Sequence, residues 1–290
     1  VSFRVGSMIS RRGVLTGLAG LTAPALAGCG SRTPPTNLRA PAYAPIPPPG
    51  PSWTPSVEGL DAVIDISHNV KVSDFGAVRR AGIMAVIHKV TEGGDWFDPS
   101  YAARKAEAER AGLLWGGYHF GTRQYPGAKQ AMAFLSAAQP GPKTILALDI
   151  EPNDRNPGNT MRVAQAEEFV RVIQQQTGRL PLVYIHPGWA NGQAMGRRRL
   201  RIDRPITSDS ILARCDLWLA DYREQPEVPD AWARRGWKFW QYVADESEDG
   251  TAYGATPRAI PGITHCDRNM FNGDAQALTR YWGVGGQTGV

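Results

Sequence analysis

Two acids, Asp149 and Glu151, stand two residues apart at the end of an unbroken apolar run, Ile145-Leu146-Ala147-Leu148, and Pro152 follows them. Extended backbone sends successive side chains to opposite faces. The two carboxyl groups therefore share one face, with backbone positions about 6.5–7 Å apart, while Ile150 takes the other. Proline cannot donate to a strand ladder, so the strand ends there and both acids sit at its carboxyl end. Asp65 stands in the same relation to the run Ala62-Val63-Ile64, and Asp267 lies in a further strand-like segment near the carboxyl terminus. Crowded like charges and burial both raise a carboxyl pKa, so one member of such a set can stay protonated near neutral pH while another stays ionised. Glycoside hydrolysis uses that division: a proton for the leaving oxygen and a negative group beside the developing oxocarbenium ion. One strand-end acid alone is better explained as a helix cap or a cation ligand. An apolar strand ending Asp-x-Glu, with Asp65 and Asp267 elsewhere, points to catalysis.

A barrel is the arrangement that brings acids from several strands to one place. From Asp61 onward short apolar runs alternate with helix-like segments, the pattern of parallel strands joined by crossover helices. Strands are expected at 62–66, 83–88, 114–119, 145–150 and 182–185. Helices are expected at 72–81, 99–111, 127–138 and 160–177, the last capped by Asn159 or Thr160. After residue 215 the rhythm changes. Segments 216–222, 238–243 and 265–271 read as strands, but Pro226, Pro229, Pro257 and Pro261 in the gaps argue against long crossover helices. The expected fold is α/β, a TIM-like (β/α) barrel over residues 58–290 with a helix-poor carboxyl-terminal half, about five β/α units plus three β-strands. Barrel active sites gather at the carboxyl ends of strands, and the closing strand lies beside the first, which brings Asp267 to Asp65. No Gly-x-Gly-x-x-Gly turn follows the first strand, so dinucleotide binding is disfavoured and no cofactor is expected.

Residues 1–28 read as an export address. Arg11 and Arg12 precede an uncharged stretch, Gly13 to Gly28, that is too short and too weakly apolar to span a bilayer stably. Ser10-Arg11-Arg12-Gly13-Val14-Leu15 resembles a twin-arginine signal, and Leu26-Ala27-Gly28-Cys29 resembles the lipobox of bacterial lipoproteins. On that reading Cys29 is the acylated first residue of the mature chain and anchors the protein to a membrane, facing the periplasm or cell envelope. An ordinary cleaved signal with an incidental cysteine is the alternative, and it too exports the protein. Loss of the segment removes three arginines and no acid, taking the net charge from +5 to +2 and removing the main support for a nucleic-acid partner. Residues 29–57 hold nine of the 23 prolines and read as an extended linker. Cys215 and Cys266 remain, and their spacing leaves a disulfide or two thiols open.

Seven short stretches occur in one order: Ile64-Asp65-Ile66-Ser67-His68, His88-Lys89-Val90-Thr91-Glu92-Gly93, Ala111-Gly112-Leu113 followed by Gly117-Tyr118-His119-Phe120, Leu148-Asp149-Ile150-Glu151, Leu217-Trp218-Leu219-Ala220-Asp221-Tyr222, Trp240-Gln241-Tyr242 and Asp267-Arg268-Asn269. Together they resemble glycoside hydrolase family 25, the lysozymes of the Chalaropsis type. The resemblance implies an N-acetylmuramidase that cleaves the β-1,4 bond between N-acetylmuramic acid and N-acetylglucosamine in peptidoglycan, on a barrel with fewer helices than strands. It implies Glu151 as general acid, Asp149 across the site stabilising the positive transition state, and Asp65 and Asp267 holding and polarising the site. It also implies retention of configuration with help from the sugar's 2-acetamido group. Direct attack by Asp149 stays open, because side-chain separation is not readable from spacing. Val90, where many members have alanine, and Asn69-Val70, in place of an aromatic-glutamine pair, depart from the pattern and bear on substrate detail more than on chemistry.

Sugar rings present apolar C–H faces rimmed by hydroxyls, which suit aromatic side chains with a polar edge. Tyr118, Tyr184, Trp218 and Trp240 are the candidates for substrate binding. Barrel core is the alternative for each, and the resemblance favours the first three. Lys89 and Glu92 are expected to form an ion pair, either bordering the groove or purely structural. His68, His119 and His186 lack zinc spacing and no cysteine joins them, so no metal site is expected. The cluster Arg197-Arg198-Arg199-Leu200-Arg201 reads as a solvated helix or loop. The expected partners are peptidoglycan strands and, through Cys29, a membrane, with the protein a monomer. Two other functions compete: a hexosaminidase acting on chitin-like glycans, and a lipoprotein that binds peptidoglycan without cutting it. The second does not require two carboxylates at positions 149 and 151.

Overall fold

A computed structural model describes residues 58–196, 198–246, 251–255 and 259–287. The expected signal, the lipidated Cys29 and the proline-rich linker lie outside the described residues, as does Arg197. The elements run β1 (Leu60–Ile66), α1 (Phe75–Arg80), β2 (Ala85–Glu92), β3 (Trp96–Phe97), α2 (Tyr101–Arg110), β4 (Leu114–Phe120), α3 (Gly127–Ala138), β5 (Ile145–Asp149), α4 (Val163–Thr177), β6 (Leu182–Ile185), α5 (Pro187–Ala190), α6 (Ile211–Arg214), β7 (Leu217–Ala220), β8 (Phe239–Glu246), β9 (Thr251–Gly254), β10 (Asp267–Phe271) and α7 (Ala275–Gly283).

Eight strands close into a barrel. β1, β2, β4, β5, β6, β7 and β8 are parallel neighbours in that order. β10 completes the ring by pairing antiparallel with both β8 and β1, and β3 and β9 are hairpin additions to β2 and β8. The helix-poor half is present: only a single 3-10 turn, Asp230–Trp232, interrupts the proline-containing connection after β7. α7 is an element the sequence reading lacks. Its Leu278 and Trp282, one turn apart, bury themselves against the barrel interior.

Side-chain alternation sorts the core into two layers. Val63, Ala85, Ile87, Ala147, Leu182, Trp218, Phe239 and Phe271 point inward, and Leu278 and Trp282 plug the end where the parallel strands begin. The outward residues, such as Ile64, Val86, Leu146, Leu148, Val183 and Leu219, pack under the helices. α4 shows why these helices form: Val163, Ala166, Phe169, Val170 and Ile173 recur at helical spacing and are buried, and Gly178 ends the helix in the left-handed region at φ 71°. Its start corrects the expected cap. Thr160 is occupied in a bridge to Thr122, with its Oγ1 accepting the Asn153 N–H, so α4 begins at Val163. The Arg162 N–H donates to Gln165 Oε1 (3.1 Å) and the Val163 N–H to Asp203 Oδ1 (2.9 Å), a carboxylate 40 residues away in sequence.

No disulfide joins Cys215 to Cys266, and both are buried. Cys215 precedes parallel β7 and Cys266 precedes antiparallel β10, so they sit at opposite ends of the barrel. At about 3.3 Å per residue a four- or five-residue strand exceeds the ~7 Å that a disulfide can span. No helix among the described residues is long and apolar enough to cross a membrane.

Candidate active site

The carboxyl ends of the strands surround a cavity of about 160 Å3 lined by Asp65, Tyr118, Asp149, Glu151, Tyr184, Trp218, Tyr222, Gln241, Ala244 and Asp267. Four acids from three strands therefore meet. Asp65 and Asp267 are register partners across the antiparallel β1–β10 pair, and because β10 runs against its neighbours, its first residue arrives at the mouth. Asp149 is the last residue of β5, and Glu151 follows two positions on. The Ile150 N–H still donates to the Tyr184 carbonyl, which keeps the extended alternation that aims both acids at the cavity.

Amides hold Asp65. The Gln241 Nε2 donates to both its oxygens (3.2 and 3.0 Å) and to Asp267 Oδ2 (3.2 Å), and the Asn269 Nδ2 donates to Asp65 Oδ2 (2.8 Å). Burial nevertheless outweighs these bonds and raises the Asp65 pKa from 3.8 to about 6. Asp149 is raised well above its ordinary value, first by burial and then by the negative charge of Glu151, against a smaller opposing pull from Lys89. Its Oδ1 is buried without a hydrogen-bond partner among the described residues. An orphaned, desolvated oxygen beside a second carboxyl group favours a proton on the pair, the condition for general acid catalysis.

The aromatic residues come from β4, β6 and β7, the strands that flank β5 and its Asp149 on either side. The Tyr184 and Tyr222 hydroxyls each donate to Gln241 Oε1 (2.8 Å), fixing the amide so that its nitrogen faces Asp65. The Trp218 Nε1 donates to Asn269 Oδ1 (2.6 Å), orienting the other amide, and Tyr118 and Tyr184 meet the Trp218 ring edge-on at 6.2 and 4.9 Å. Burial and the four surrounding acids hold the Tyr118 hydroxyl well above its ordinary pKa, so it remains a neutral donor.

Not every expected site residue reaches the cavity. Trp240 does not: Gln241 faces inward, so alternation sends Trp240 outward, where its Nε1 bonds the Asp221 carbonyl and its ring packs near Trp237 and Tyr242. Lys89 and Glu92 form the expected ion pair (2.7 Å), with the Lys89 Nζ over the rings of Trp96 and Phe120. Residues three apart in a regular strand face opposite ways. Here Lys89 pairs with Tyr118 and Thr91 with His119, so the bulge at Val90 brings both charges to the inner face near Asp149.

The histidines serve packing and hydrogen bonding. His68 meets Asp98 (3.1 Å), His119 lies between Thr91 and Gln130, and the His186 ring accepts the Gly188 N–H. Among the described residues no His, Cys, Asp or Glu cluster could hold a metal ion. Arg198, Arg199 and Arg201 are exposed on a loop. Tyr222 and Gln241 line the cavity and Asn269, fully buried, holds Asp65 from behind it; the sequence reading did not single out these three, although Gln241 and Asn269 each lie two positions from an inward neighbour, Phe239 and Asp267.

The sequence profile of Glycosyl hydrolases family 25 matches residues 64–251, a span that contains Asp65, Asp149 and Glu151. The chain belongs to this family. It is 27% identical over 241 residues to Lysozyme M1 of Streptomyces globisporus, covering 79% of this chain and 72% of that one. It is 28% identical over 212 residues to N,O-diacetylmuramidase of Chalaropsis sp, covering 68% of this chain and 92% of that one. Among solved structures, the bacterial lysozyme from Streptomyces coelicolor superposes with a TM-score of 0.59 at 26% identity, covering 77% of this chain and 96% of that one. This member of family 25 is thus a glycoside hydrolase on a helix-poor barrel.

Proposed function

We propose that this family 25 hydrolase is an N-acetylmuramidase that cuts the β-1,4 bond between N-acetylmuramic acid and N-acetylglucosamine in peptidoglycan. The observation that carries the reading is the convergence of Asp65, Asp149, Glu151 and Asp267 on one cavity walled by Tyr118, Tyr184 and Trp218. Glu151, beyond the strand end and less buried than Asp149, delivers the proton to the glycosidic oxygen. As positive charge develops on the sugar, the ionised form of Asp149 is favoured, so the proton of the pair sits on Glu151 before the transition state and passes from it to the leaving oxygen within it. Asp149 then faces the oxocarbenium ion or orients the 2-acetamido group, while Asp65 and Asp267, bridged by Gln241, fix the far side. Tyr118, Tyr184 and Trp218 supply the sugar platform, and Lys89 and Glu92 border it.

The amino-terminal sequence supports a site of action outside the cytoplasm. Residues 1–28 are proposed as a twin-arginine lipoprotein signal, Cys29 as the lipidated residue, 29–57 as the linker and 58–290 as a monomeric catalytic barrel. The test is to incubate the purified protein with peptidoglycan, reduce the new ends with borohydride and identify them by mass spectrometry. Reduced muramic acid is the expected product; cleavage of chitin with none of peptidoglycan points to the other hexosaminidase class, and retention on intact glycan points to a binding protein.

A further inference from the structure

A second cleft opens beside the catalytic cavity, between the loops that leave β4 and β5, the strands that bring Tyr118 and Asp149 to the site. It is an open depression of about 410 Å3 lined by Arg123, Gln124, Asn156, Gly158 and Asn159. The backbone here is fixed from several sides. The Arg123 N–H donates to the Asn159 carbonyl (2.9 Å), the Arg123 carbonyl accepts from Gln165 Nε2 (2.9 Å), and the Gln124 N–H donates to Asn159 Oδ1 (2.8 Å). Gln130 ties the same loop through Thr122 and Tyr125. The Arg123 guanidinium, by contrast, has no hydrogen bond or ion pair among the described residues, and the nearby Asp95 is engaged by the Tyr125 hydroxyl (2.6 Å).

A permanently charged fork on a rigid loop, surrounded by neutral amides, is a seat for a carboxylate carried on a peptide. One cation suits a single carboxylate, whereas a polyphosphate chain needs several. The loops bearing the cleft leave the same ends of β4 and β5 that bring Tyr118 and Asp149 to the cavity, so a ligand lying there is on the same face of the barrel as one in the cavity. Resting on the muramidase reading, we propose that the cleft holds the peptide stem of muramic acid. Arg123 binds a stem carboxylate, and the side-chain amides of Gln124, Asn156 and Asn159 meet its peptide groups. Arg123 is thereby a specificity-determining residue that distinguishes stem-bearing glycan from bare glycan.

The test compares the full protein on intact peptidoglycan and on the same material stripped of stems by an amidase. The wild type is expected to show the higher kcat/KM on stem-bearing glycan. Arg123→Ala should reduce that preference about tenfold, chiefly through KM, the scale of a lost charge-assisted hydrogen bond. Arg123→Lys should recover part of it, and raised salt should erode the wild-type preference more than the variant's. A wild type without preference, an Arg123→Ala enzyme with unchanged preference, or an equal loss on both substrates in folded protein overturns the stem assignment. Wild-type protein that cleaves neither substrate overturns the muramidase reading instead.

Discussion

Asp65 is a carboxyl group taken out of water and held by two amides, and its thermodynamics follow from that position. Its folded pKa of about 6 exceeds the ordinary 3.8, so between those values the folded protein binds a proton that the unfolded chain releases. Stability therefore falls as pH rises through this window, and the full cost, about 3 kcal/mol for roughly two pKa units, is present above it. Asp65→Asn should flatten the dependence of the denaturant midpoint on pH between 4 and 6.5, leaving the same-signed contribution of Asp149; an unchanged slope would clear Asp65 as its source. Glu151→Gln keeps the shape but has no proton to give, so turnover should fall at least ~100-fold with an unfolding midpoint no lower than wild type, since the charge that crowds Asp149 is removed as well. Wild-type turnover in that variant removes Glu151 from the acid role.

Elements position these groups through a few close contacts. α3 and α4 cross at Gly127, where an added Cβ would lie 2.0 Å from the Gln165 carbonyl oxygen and 2.9 Å from the Phe169 nitrogen. Both are backbone atoms, so a side chain can be accommodated only by parting the helices. Gly127→Ala is expected to cost about 1–3 kcal/mol, read as a lowered denaturant midpoint. Because Gln165 also anchors the Arg123 loop, the same variant should raise KM on stem-bearing peptidoglycan. The β2 bulge at Val90 works at this scale too: one extra residue puts Lys89 and Glu92 on the cavity side.

At the scale of the whole molecule, the barrel is closed chemically at one end and open at the other. Trp282 of α7 stacks edge-on against Phe239 at 5.9 Å and donates its Nε1 to the Trp115 carbonyl (2.9 Å), sealing the end remote from the acids. Trp282→Ala should destabilise the protein by about 3–5 kcal/mol, while activity per folded molecule at low temperature stays near wild type. A proportional loss of kcat at full folding, measured by active-site titration against circular dichroism, would show that the plug also shapes the cavity.

The sequence by itself determined the strand-end acids, the barrel and its helix-poor half, because apolar runs, proline positions and the two-residue alternation are local properties. It left open which aromatic residues face the cavity. Strands of a parallel barrel are buried on both sides, so polarity does not mark the inner face, and Trp240 is as apolar an expectation as Trp218. Only the closed sheet decides that Gln241 looks inward and Trp240 outward. Tertiary structure likewise decided the α4 cap, supplied by Asp203 from a distant loop, and the separation of Cys215 from Cys266, since the antiparallel β10 reverses which end of the barrel its first residue reaches. The raised pKa values of Asp65 and Asp149 belong to the same class: desolvation depends on what surrounds a carboxyl group in space, which its neighbours in sequence do not specify.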